Sequence, residues 1–476
     1  MSKGRKIREE QMHSAGRRES SHSSSLFIEE EPVWFGRDGK VTQKWLSSCE
    51  EERNHTTRLL SQIVAYSNLE RAYKSVRKNG GSGGVDGMDI KSFKEWFKKN
   101  WQSLQNELLT GQYRPDAVKR VEIPKGTGGT RQLGIPTIRD RVVQQAINQI
   151  LQQMYDPTFS KDSYGFRPKR GAHAALKRCC EHVKSGKTKV VDIDLEKFFD
   201  KVNHQRLMWL LSQRIGDKAL LRLIGRIIKA GILVGGLVEQ PIQGTPQGSP
   251  LSPLLSNIVL DELDQELTRR GLSFVRYADD MQIFVSSKAS AERVLESITK
   301  FIENRLKLKV NREKSGIKGC RAVDFLGHSL QYGGKLGLSK KSEAKLKAKL
   351  KELTQRNRSV NFNALLKELK TKLQGWLNYF RYAQMKSKLK QIEGWLRRRL
   401  KCFRLKQCKR RIGVVRFLMK LGVEKTLSWR TALSGKGWWR LSNTPATNMG
   451  MNNKWFLEQG YYSLVDNYLQ VHRNPL

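Results

Sequence analysis

Four aspartates in two short segments have the spacing of a metal-dependent active site. Asp279 and Asp280 lie between the two β-prone runs of LSFVRYADDMQIFV, so the pair is predicted at a hairpin turn. Asp192 and Asp194 alternate with apolar residues in KVVDIDL and therefore face the same side of a predicted strand. An isolated Asp-Asp pair is more often turn chemistry than a metal site. Charged side chains inside an apolar strand, however, need cations or water.

If the two strands are neighbours, three of these carboxylates can hold two Mg²⁺ ions. Two such ions roughly 3.5–4 Å apart activate an attacking hydroxyl and stabilise a leaving pyrophosphate. This is the chemistry of nucleotidyl transfer. It requires a nucleotide-binding surface close to the carboxylates.

A polar loop before a predicted helix is a candidate for that surface. In QPIQGTPQGSPLSPLLSNIVLDELDQEL, residues 240–267, glycines and prolines form the loop, and Gln247 is its natural hydrogen-bonding residue. Ser252 and Pro253 have the types expected at an N-cap and at the first helical position. Taken alone, a loop of Gly, Pro and Gln is more often a simple connection that binds no ligand.

The elements that position these motifs alternate between β-prone runs and helical patterns from about residue 88 to 335, which predicts a sheet covered by helices. Leu and Lys recur at helical spacing from about 336 to 412, whereas the pattern of 413–476 assigns no fold. A Ser-rich, charged leader occupies residues 1–40. Helical spacing in 41–78 ends at the glycine cluster NGGSGGVDG, a linker or a tight phosphate-facing loop.

The charge predicts a polyanionic partner. The 476 residues contain 89 Lys+Arg against 45 Asp+Glu, a formal net charge of +44, far more than solubility requires. In 381–440, Trp395, Phe403 and Phe417 are interleaved with RRR and KRR clusters. A single basic run is normally a solvated surface, but this combination favours stacking and phosphate neutralisation, and hence RNA or DNA binding. No apolar run reaches the ~20 residues of a membrane-spanning helix, so no membrane partner is predicted.

The order of acidic strand, QGTPQGSPLSP loop and YADD hairpin resembles reverse transcriptases, specifically the reverse transcriptase/maturase proteins encoded by group II introns. SYGFRPKRGAH (163–173), IPKGTGGTRQLGIPTIRDRVVQQA (123–146) and DFLGHSL (324–330) resemble further motifs of the same series. The resemblance covers about 45–476. It implies an α+β right-hand polymerase with fingers, a palm built on an antiparallel sheet, a helical thumb and a basic C-terminal domain.

The resemblance also implies roles for individual residues. The expected catalytic and metal-binding carboxylates are Asp194, Asp279 and Asp280, whereas Asp192 lies one step too early. The residues expected to bind the incoming nucleotide are Lys125, Arg131, Phe199, Gln247 and Lys314. The Phe199 ring closes off the space at the sugar 2′ carbon, which implies selection of deoxynucleotides. Lys125 and Arg131 grip the triphosphate as a point charge and a bidentate fork. Asp200 is expected to cap the helix that follows it.

The same resemblance implies the layout and activity of the whole chain. An N-terminal extension (41–87), fingers and palm (88–335), and a thumb with maturase region (336–412) precede a basic region (413–476) that binds DNA or RNA. The residues expected to bind nucleic acid are Arg397, Arg398, Arg399, Arg404, Lys409, Arg410 and Arg411. The implied activity is RNA-directed DNA synthesis with two Mg²⁺ ions and dNTPs. The implied partners are the intron RNA, whose splicing the protein assists, and a DNA target or primer for mobility by target-primed reverse transcription.

Other functions stay open on the sequence alone. One is a reverse transcriptase that has left its intron and serves repair or defence. Another is an RNA-binding splicing cofactor with a vestigial polymerase, which the intact carboxylates and Gln247 disfavour. The bulky Phe199 and the Tyr277-Ala278 pair disfavour RNA-templated RNA synthesis. Because the C-terminal segment offers His472 and no cysteine, the HNH nuclease of many family members is not expected. The leader lacks the pattern of a secretory or transit signal, which predicts the bacterial cytoplasm, with nucleoid association, rather than an organelle.

Overall fold

The computed structural model describes residues 58–124, 130–234, 237–239, 243–244 and 248–473. The predicted leader and Lys125 and Gln247 lie outside the described residues. The described helices are α1 (Leu59–Val64), α2 (Tyr66–Asn79), α3 (Ile90–Leu109), α4 (Ile138–Tyr155), α5 (Ala172–Lys184), α6 (Phe198–Lys201), α7 (His204–Ser212), α8 (Lys218–Ile228), α9 (Ser252–Arg269), α10 (Lys288–Asn304), α11 (Lys340–Leu353), α12 (Phe362–Phe380), α13 (Lys386–Gln407), α14 (Arg411–Lys420), α15 (Lys425–Leu433), α16 (Trp438–Leu441), α17 (Pro445–Gly450), α18 (Asn453–Glu458) and α19 (Leu464–Arg473). The described strands are β1 (Val118–Pro124), β2 (Thr130–Ile135), β3 (Lys189–Asp194), β4 (Ile232–Val234), β5 (Leu237–Glu239), β6 (Ser273–Tyr277), β7 (Asp280–Val285), β8 (Gly316–Gly319), β9 (Asp324–Phe325), β10 (His328–Gln331) and β11 (Lys335–Leu338).

The central sheet has the strand order β6-β7-β3-β8, and each neighbouring pair is antiparallel. The predicted β-prone runs KVVDIDL, LSFVRYA and MQIFV form β3, β6 and β7, so the prediction of an α+β fold with an antiparallel palm sheet is confirmed. The hairpin β6–β7 leaves a two-residue connection, Ala278 and Asp279. The acidic pair therefore lies at a turn, as its flanking runs predict.

The two faces of this sheet carry different side chains because strand residues alternate in direction. Val191 and Ile193 of β3 join the large core formed with the surrounding helices, which include α9 and α10. Val190 faces the other way and packs in a smaller core with residues of α5. Asp192 and Asp194 share the face of Val190. One end of that face is therefore apolar and covered by α5, while the other end carries carboxylates.

Two further sheets are present, one of four strands and one of three. The order β2-β1-β4-β5 includes the antiparallel β1–β2 hairpin and a parallel β1–β4 pair. The glycine cluster after α2 packs against this part of the chain rather than forming a loose linker. A Cβ at Gly84 would lie 2.6 Å from the Cα of Thr137, and the Arg141 guanidinium donates to the Ser82 carbonyl. The third sheet has the order β11-β10-β9.

From α11 onward the described residues are almost entirely helical. Ser339 and Asn361 cap α11 and α12 by accepting backbone N–H bonds, as expected for these residue types. One cluster of buried residues extends from β11 to α19 and crosses the predicted boundary at residue 412. The described part of the segment that the sequence pattern left unassigned, residues 413–473, is thus a set of short helices that pack on α12 and α13.

The last helix is attached by a buried acid. Glu393 of α13 is 2% exposed, pairs with Arg397 at 2.8 Å and accepts the Val465 N–H at 3.0 Å. The Tyr468 hydroxyl donates to the Ala383 carbonyl at 3.0 Å. Among the described residues, no helix is long and apolar enough to span a membrane.

Candidate active site

Strand register brings the predicted catalytic carboxylates together. Asp194 is the last residue of β3 and lies directly opposite Asp280, the first residue of β7. Asp279 precedes Asp280 in the hairpin connection. Side chains of directly opposed strand residues are about 4.5–5.5 Å apart at Cβ. All three carboxylates therefore belong to the same end of the central sheet.

The backbone on which Asp194 ends is fixed by the segment that leads to β8. Asn311 donates its N–H to the Asp194 carbonyl at 2.9 Å, and the Asp194 N–H bonds the Ser315 hydroxyl at 2.9 Å. This segment also places Lys314 beside the site. The Lys314 ammonium is 3.9 Å from an Asp194 carboxylate oxygen, and its side chain is 66% exposed.

A buried arginine, Arg276, is hydrogen-bonded to the turn that carries Asp279. Arg276 is fully buried, and its guanidinium forms a bidentate pair with Asp264 of α9, at 2.8 Å from Nε to Oδ1. The same guanidinium donates to the Asn257 side chain and to the Ala278 carbonyl, each at 2.9 Å. Ala278 has a φ of +60°, a conformation unfavourable for a residue with a Cβ. Arg276 therefore ties a strained turn to the rigid helix α9.

The SYGFRP segment forms a second support. Arg276 donates its N–H to the Asp162 carbonyl, Tyr164 donates to the Arg276 carbonyl, each at 2.9 Å, and Ser163 forms a parallel bridge with Arg276. A Cβ at Gly165 would lie 2.2 Å from the Ala278 backbone nitrogen. The glycine is required here because the two backbones are in contact.

Replacing Gly165 with Ala is therefore expected to displace the catalytic turn by about 1 Å. Misplacement of that size costs roughly 10²-fold in rate when reacting groups depend on the displaced part. The measurement is primer extension by the Gly165→Ala protein under saturating dNTP. Gly171→Ala, six residues further along at a position with no atom within 4 Å of the added Cβ, is the matched control. Equal activity of the two variants would contradict the assigned role of Gly165.

Burial and neighbouring carboxylates together determine the electrostatics of the site. Burial, followed by the charges of Asp192 and Asp279, raises the pKa of Asp280 to about 7. Burial also raises the pKa of Asp194, with Lys314 acting in the opposite direction. A proton or a cation is the natural counter-charge for such a cluster.

Asp192 has partners of its own. It lies opposite Gln282 in β7, whose side-chain amide donates to it at 2.5 Å. The Lys318 ammonium of β8 pairs with its other carboxylate oxygen. The Lys318 ammonium supplies the cation that the sequence-based expectation requires for this acid.

The short helix α6 follows β3 and contains two residues to which the sequence assigned roles, Phe199 and Asp200. Phe199 is half-buried in α6, and its ring packs edge-on against Phe198 with 5.4 Å between centroids. Asp200 does not cap the next helix, so that prediction is wrong: Asn203 accepts the Arg206 N–H at α7. Asp200 lies within α6, which begins at Phe198. Asn203 has an extended backbone and is the N-cap of α7.

Two described glycines of the glycine-proline loop contact this segment and the β1–β2 hairpin. Gly244 donates its N–H to the Val202 carbonyl at 2.9 Å, and a Cβ at Gly248 would lie 2.5 Å from the Gly134 carbonyl oxygen. Helix α9 begins at Ser252, one residue earlier than predicted, with Leu251 as the N-cap. Gln247 and Lys125 lie outside the described residues, and Arg131 is described only by its backbone, opposite Ile123 in β2. Their nucleotide-binding roles stay predictions.

Comparison with known proteins agrees with this arrangement. The family model for "Reverse transcriptase (RNA-dependent DNA polymerase)" matches residues 123–330, and the one for "Group II intron, maturase-specific domain" matches 344–421. Protein YkfC of Escherichia coli K12 is 35% identical over 52% of this chain and 75% of that protein. The group II intron-encoded protein LtrA of Lactococcus lactis subsp. cremoris is 30% identical over 58% of this chain and 57% of LtrA. The chain belongs to the group II intron reverse transcriptase/maturase family.

A solved structure of a Cas6-RT-Cas1--Cas2 complex also matches, at 25% identity and a TM-score of 0.34, over 52% of this chain and 42% of that chain. The chain spans three quarters of YkfC but little more than half of LtrA. The reverse transcriptase match encloses Asp194, Asp279 and Asp280. The maturase match encloses α12, α13 and α14 and most of α11.

Reverse transcriptases use divalent metal ions, and the residues of this site fit such an ion. The three carboxylates offer hard oxygen ligands, and burial, with a smaller contribution from neighbouring carboxylates, raises the pKa of Asp194 and Asp280. In the part of the chain that the structure describes, no group of three His, Cys, Asp or Glu side chains has the geometry to hold a metal ion.

The basic residues of the maturase region have two kinds of environment. Arg397 pairs with Glu393 at 2.8 Å, and Arg399 donates to Thr354 Oγ1 at 2.6 Å, so part of each guanidinium is engaged within the protein. Arg398 and Arg404 lie over the rings of Trp439 and Phe417 at 4.2 and 4.3 Å. The other predicted nucleic-acid contacts, Lys409, Arg410 and Arg411, are exposed. Phe403, which the sequence pattern associated with stacking, is 2% exposed and belongs to the core.

Sequence reasoning missed the residues that support the turn. Arg276 stands in an apolar run, and its alternation with Phe274 places it on a buried face. A buried guanidinium implies a buried acidic partner, so the sequence pattern could have indicated that Arg276 forms a buried ion pair. The partners Asp264 and Asn257 follow only from the tertiary structure, because many polar positions on α9 were possible candidates.

Proposed function

We propose that this chain copies RNA into DNA at the end of the central sheet where Asp194 faces Asp280. The observation that carries the proposal is the register of β3 and β7, with Asp279 in the adjoining turn. The proposed ligands of two Mg²⁺ ions are these three carboxylates. When bound, such ions activate the attacking 3′-hydroxyl and neutralise charge on the leaving pyrophosphate.

The protein's own groups orient the reactants. Arg276 and Gly165 hold the turn that presents Asp279. The exposed ammonium of Lys314, 3.9 Å from Asp194, supplies positive charge to a triphosphate at the edge of the carboxylate cluster. Phe199 follows Asp194 by five residues and presents an aromatic ring near the same edge, where it would exclude a ribose 2′-hydroxyl.

The second part of the proposal concerns RNA. The protein binds the RNA of its own group II intron, stabilises the folded ribozyme by binding it, and uses a DNA target as primer for target-primed reverse transcription. The maturase-specific match and the exposed basic residues of α13 and α14 support this part. We place this activity in the bacterial cytoplasm, near the nucleoid. A reverse transcriptase used in repair or defence would share the polymerase site and differ in having no surrounding intron.

The test is primer extension on a primed RNA template with Mg²⁺ and dNTPs, for the parent protein and for Asp279→Ala. Extension by the parent alone, with equal RNA affinity of both proteins, is the expected result. If neither protein extends the primer although both bind RNA, the chain is a splicing cofactor with a vestigial polymerase. Loss of RNA affinity in Asp279→Ala would mean that the turn is structural.

Replacing Phe199 with Ala is expected to loosen selection of deoxynucleotides. Removing a steric contact worth 1–3 kcal/mol changes discrimination by roughly 10- to 100-fold. The measurement is the ratio of kcat/KM for a dNTP to that for the matching rNTP. Phe199→Tyr, which keeps the ring, should retain the parent ratio. An unchanged ratio in Phe199→Ala would remove Phe199 from the site.

A further inference from the structure

A cleft lies far along the chain from the catalytic carboxylates, at the junction of the maturase region and the short helices that follow it. Its volume is about 880 Å³, within the ~300–1,000 Å³ of small-molecule sites. The end of α11 and the turn after it form one wall, α13 forms the second, and α16 forms the third.

Three tryptophans line the cleft: Trp395, Trp438 and Trp439. The Arg398 guanidinium lies over the Trp439 ring at 4.2 Å, and that of Arg399 lies over Trp395 at 5.3 Å. Trp439 is nevertheless 40% exposed. An indole backed by a cation on one side and open on the other is a platform for a further flat ring.

The remaining lining is cationic. Lys351, Arg356 and Lys406 are exposed around the cleft, and no Asp or Glu is among its described lining residues. The neighbouring Glu352 forms its ion pair with Lys349, at 2.7 Å. The cleft therefore carries positive charge with no carboxylate of the described lining to balance it.

One of the arginines is fixed in place as part of the wall. Arg399 donates from Nε to Thr354 Oγ1 at 2.6 Å and from Nη2 to the Lys351 carbonyl at 3.0 Å. These bonds join α13 to the end of α11. The wall that carries Trp395 is thereby pre-formed, so little ordering cost is expected when a ligand enters.

We propose that this cleft binds one unpaired nucleotide of an RNA that lies across the maturase region. Indole faces together with unbalanced cations match a flat base linked to a phosphate. A paired base is covered above and below by its neighbours, so only an unpaired, unstacked base can reach the indoles. The proposal deepens the RNA-binding part of the proposed function and is independent of the polymerase part.

The experiment compares two RNA hairpins that differ by a single unpaired adenosine in the stem. Because both hairpins carry nearly the same charge, the ratio of their dissociation constants removes the non-specific electrostatic contribution. The parent protein is expected to bind the bulged hairpin roughly tenfold more tightly, the size of one base–aromatic stacking contact. Trp439→Leu should lose this preference, and Trp439→Phe should retain most of it.

Trp209 provides a matched control. It is exposed to 47% and lies beneath the Arg206 guanidinium at 4.6 Å, but it belongs to α7 and not to the cleft. Trp209→Leu should keep the full preference for the bulged hairpin. An equal loss in Trp209→Leu and Trp439→Leu, or no preference in the parent, overturns the proposal.

Two further measurements separate the possible failures. Primer extension by Trp439→Leu should equal that of the parent, which shows that the variant's polymerase site is intact. If Trp439→Leu has a lowered melting temperature, Arg356→Gln replaces it and should weaken the bulged hairpin more than the paired one. A preference for the matching bulged DNA hairpin as large as that for RNA overturns the assignment to RNA.

Discussion

The Asp280→Asn protein is expected to lose primer extension and to become more stable than the parent in the absence of metal. Asn keeps the shape of the side chain but removes one anionic metal ligand. Loss of several kcal/mol of transition-state stabilisation lowers the rate by about 10³-fold or more. RNA affinity should be unchanged, because Asp280 is not part of the basic surface.

The gain in stability follows from the raised pKa of this acid. Its value of about 7 in the folded protein exceeds the ordinary 3.8. Between these two pH values the folded state keeps a proton that the unfolded state has released, so the free energy of unfolding falls as pH rises through this window. The free energy of unfolding stops falling above about pH 7. Asp280→Asn does not titrate there and should be more stable than the parent at pH 8 by about 2 kcal/mol. This gain is smaller than the free energy that corresponds to the whole pKa difference, because neighbouring charges relax.

The measurement is urea unfolding of the metal-free proteins at pH 5 and pH 8, beside primer extension with Mg²⁺. Asp261→Asn is the matched control. Burial and the nearby charge of Asp264 raise the pKa of Asp261 to about 6, and Asp261 lies on α9 away from the turn. The Asp261→Asn protein should also be more stable than the parent at pH 8, but its primer extension should equal that of the parent. If Asp280→Asn loses stability, the ionised carboxylate stabilises the fold and its burial is not a net cost.

The catalytic end of the sheet could be predicted because local patterns determine it. Alternation of apolar and acidic residues in β3, and the two β-prone runs around Ala278-Asp279, require little information from the rest of the chain. Antiparallel pairing of β3 with β7 then brings Asp194 opposite Asp280. The family resemblance supplied the order of the motifs and the separation of Asp194 from Asp192.

Contacts between distant segments could not be predicted in the same way. Lys318 neutralises Asp192 from 126 residues further along the chain, and no local pattern identifies such a partner. Asp200 was expected to cap a helix because Asp often does, but Asn203 has the extended backbone that a cap requires. The described residues 413–473 form helices of 4 to 10 residues, which are too short to show a clear period. Phe403 was associated with stacking because basic residues surround it in sequence, yet α13 turns that ring into the core.

The Arg276→Met protein is expected to unfold far more easily than the parent. Both side chains of the Arg276–Asp264 pair are fully buried, and removing one partner leaves the other charge unpaired in the core. Breaking a buried pair in this way costs about 3–5 kcal/mol. The measurement is the free energy of unfolding in urea at pH 7, with the circular dichroism spectrum as a check on the folded state.

The double variant Arg276→Met with Asp264→Leu distinguishes stability from positioning. Replacing both charges with apolar side chains of similar size is often neutral, so most of the lost stability should return, and the difference from the sum of the single variants measures their coupling. Primer extension should not return to the same degree, because the Ala278 carbonyl still lacks the donor that Arg276 supplies at 2.9 Å. The strained turn would then hold Asp279 less firmly. Full recovery of both properties would show that the turn keeps its conformation without Arg276, and the pair would be a packing feature rather than a support of the catalytic site.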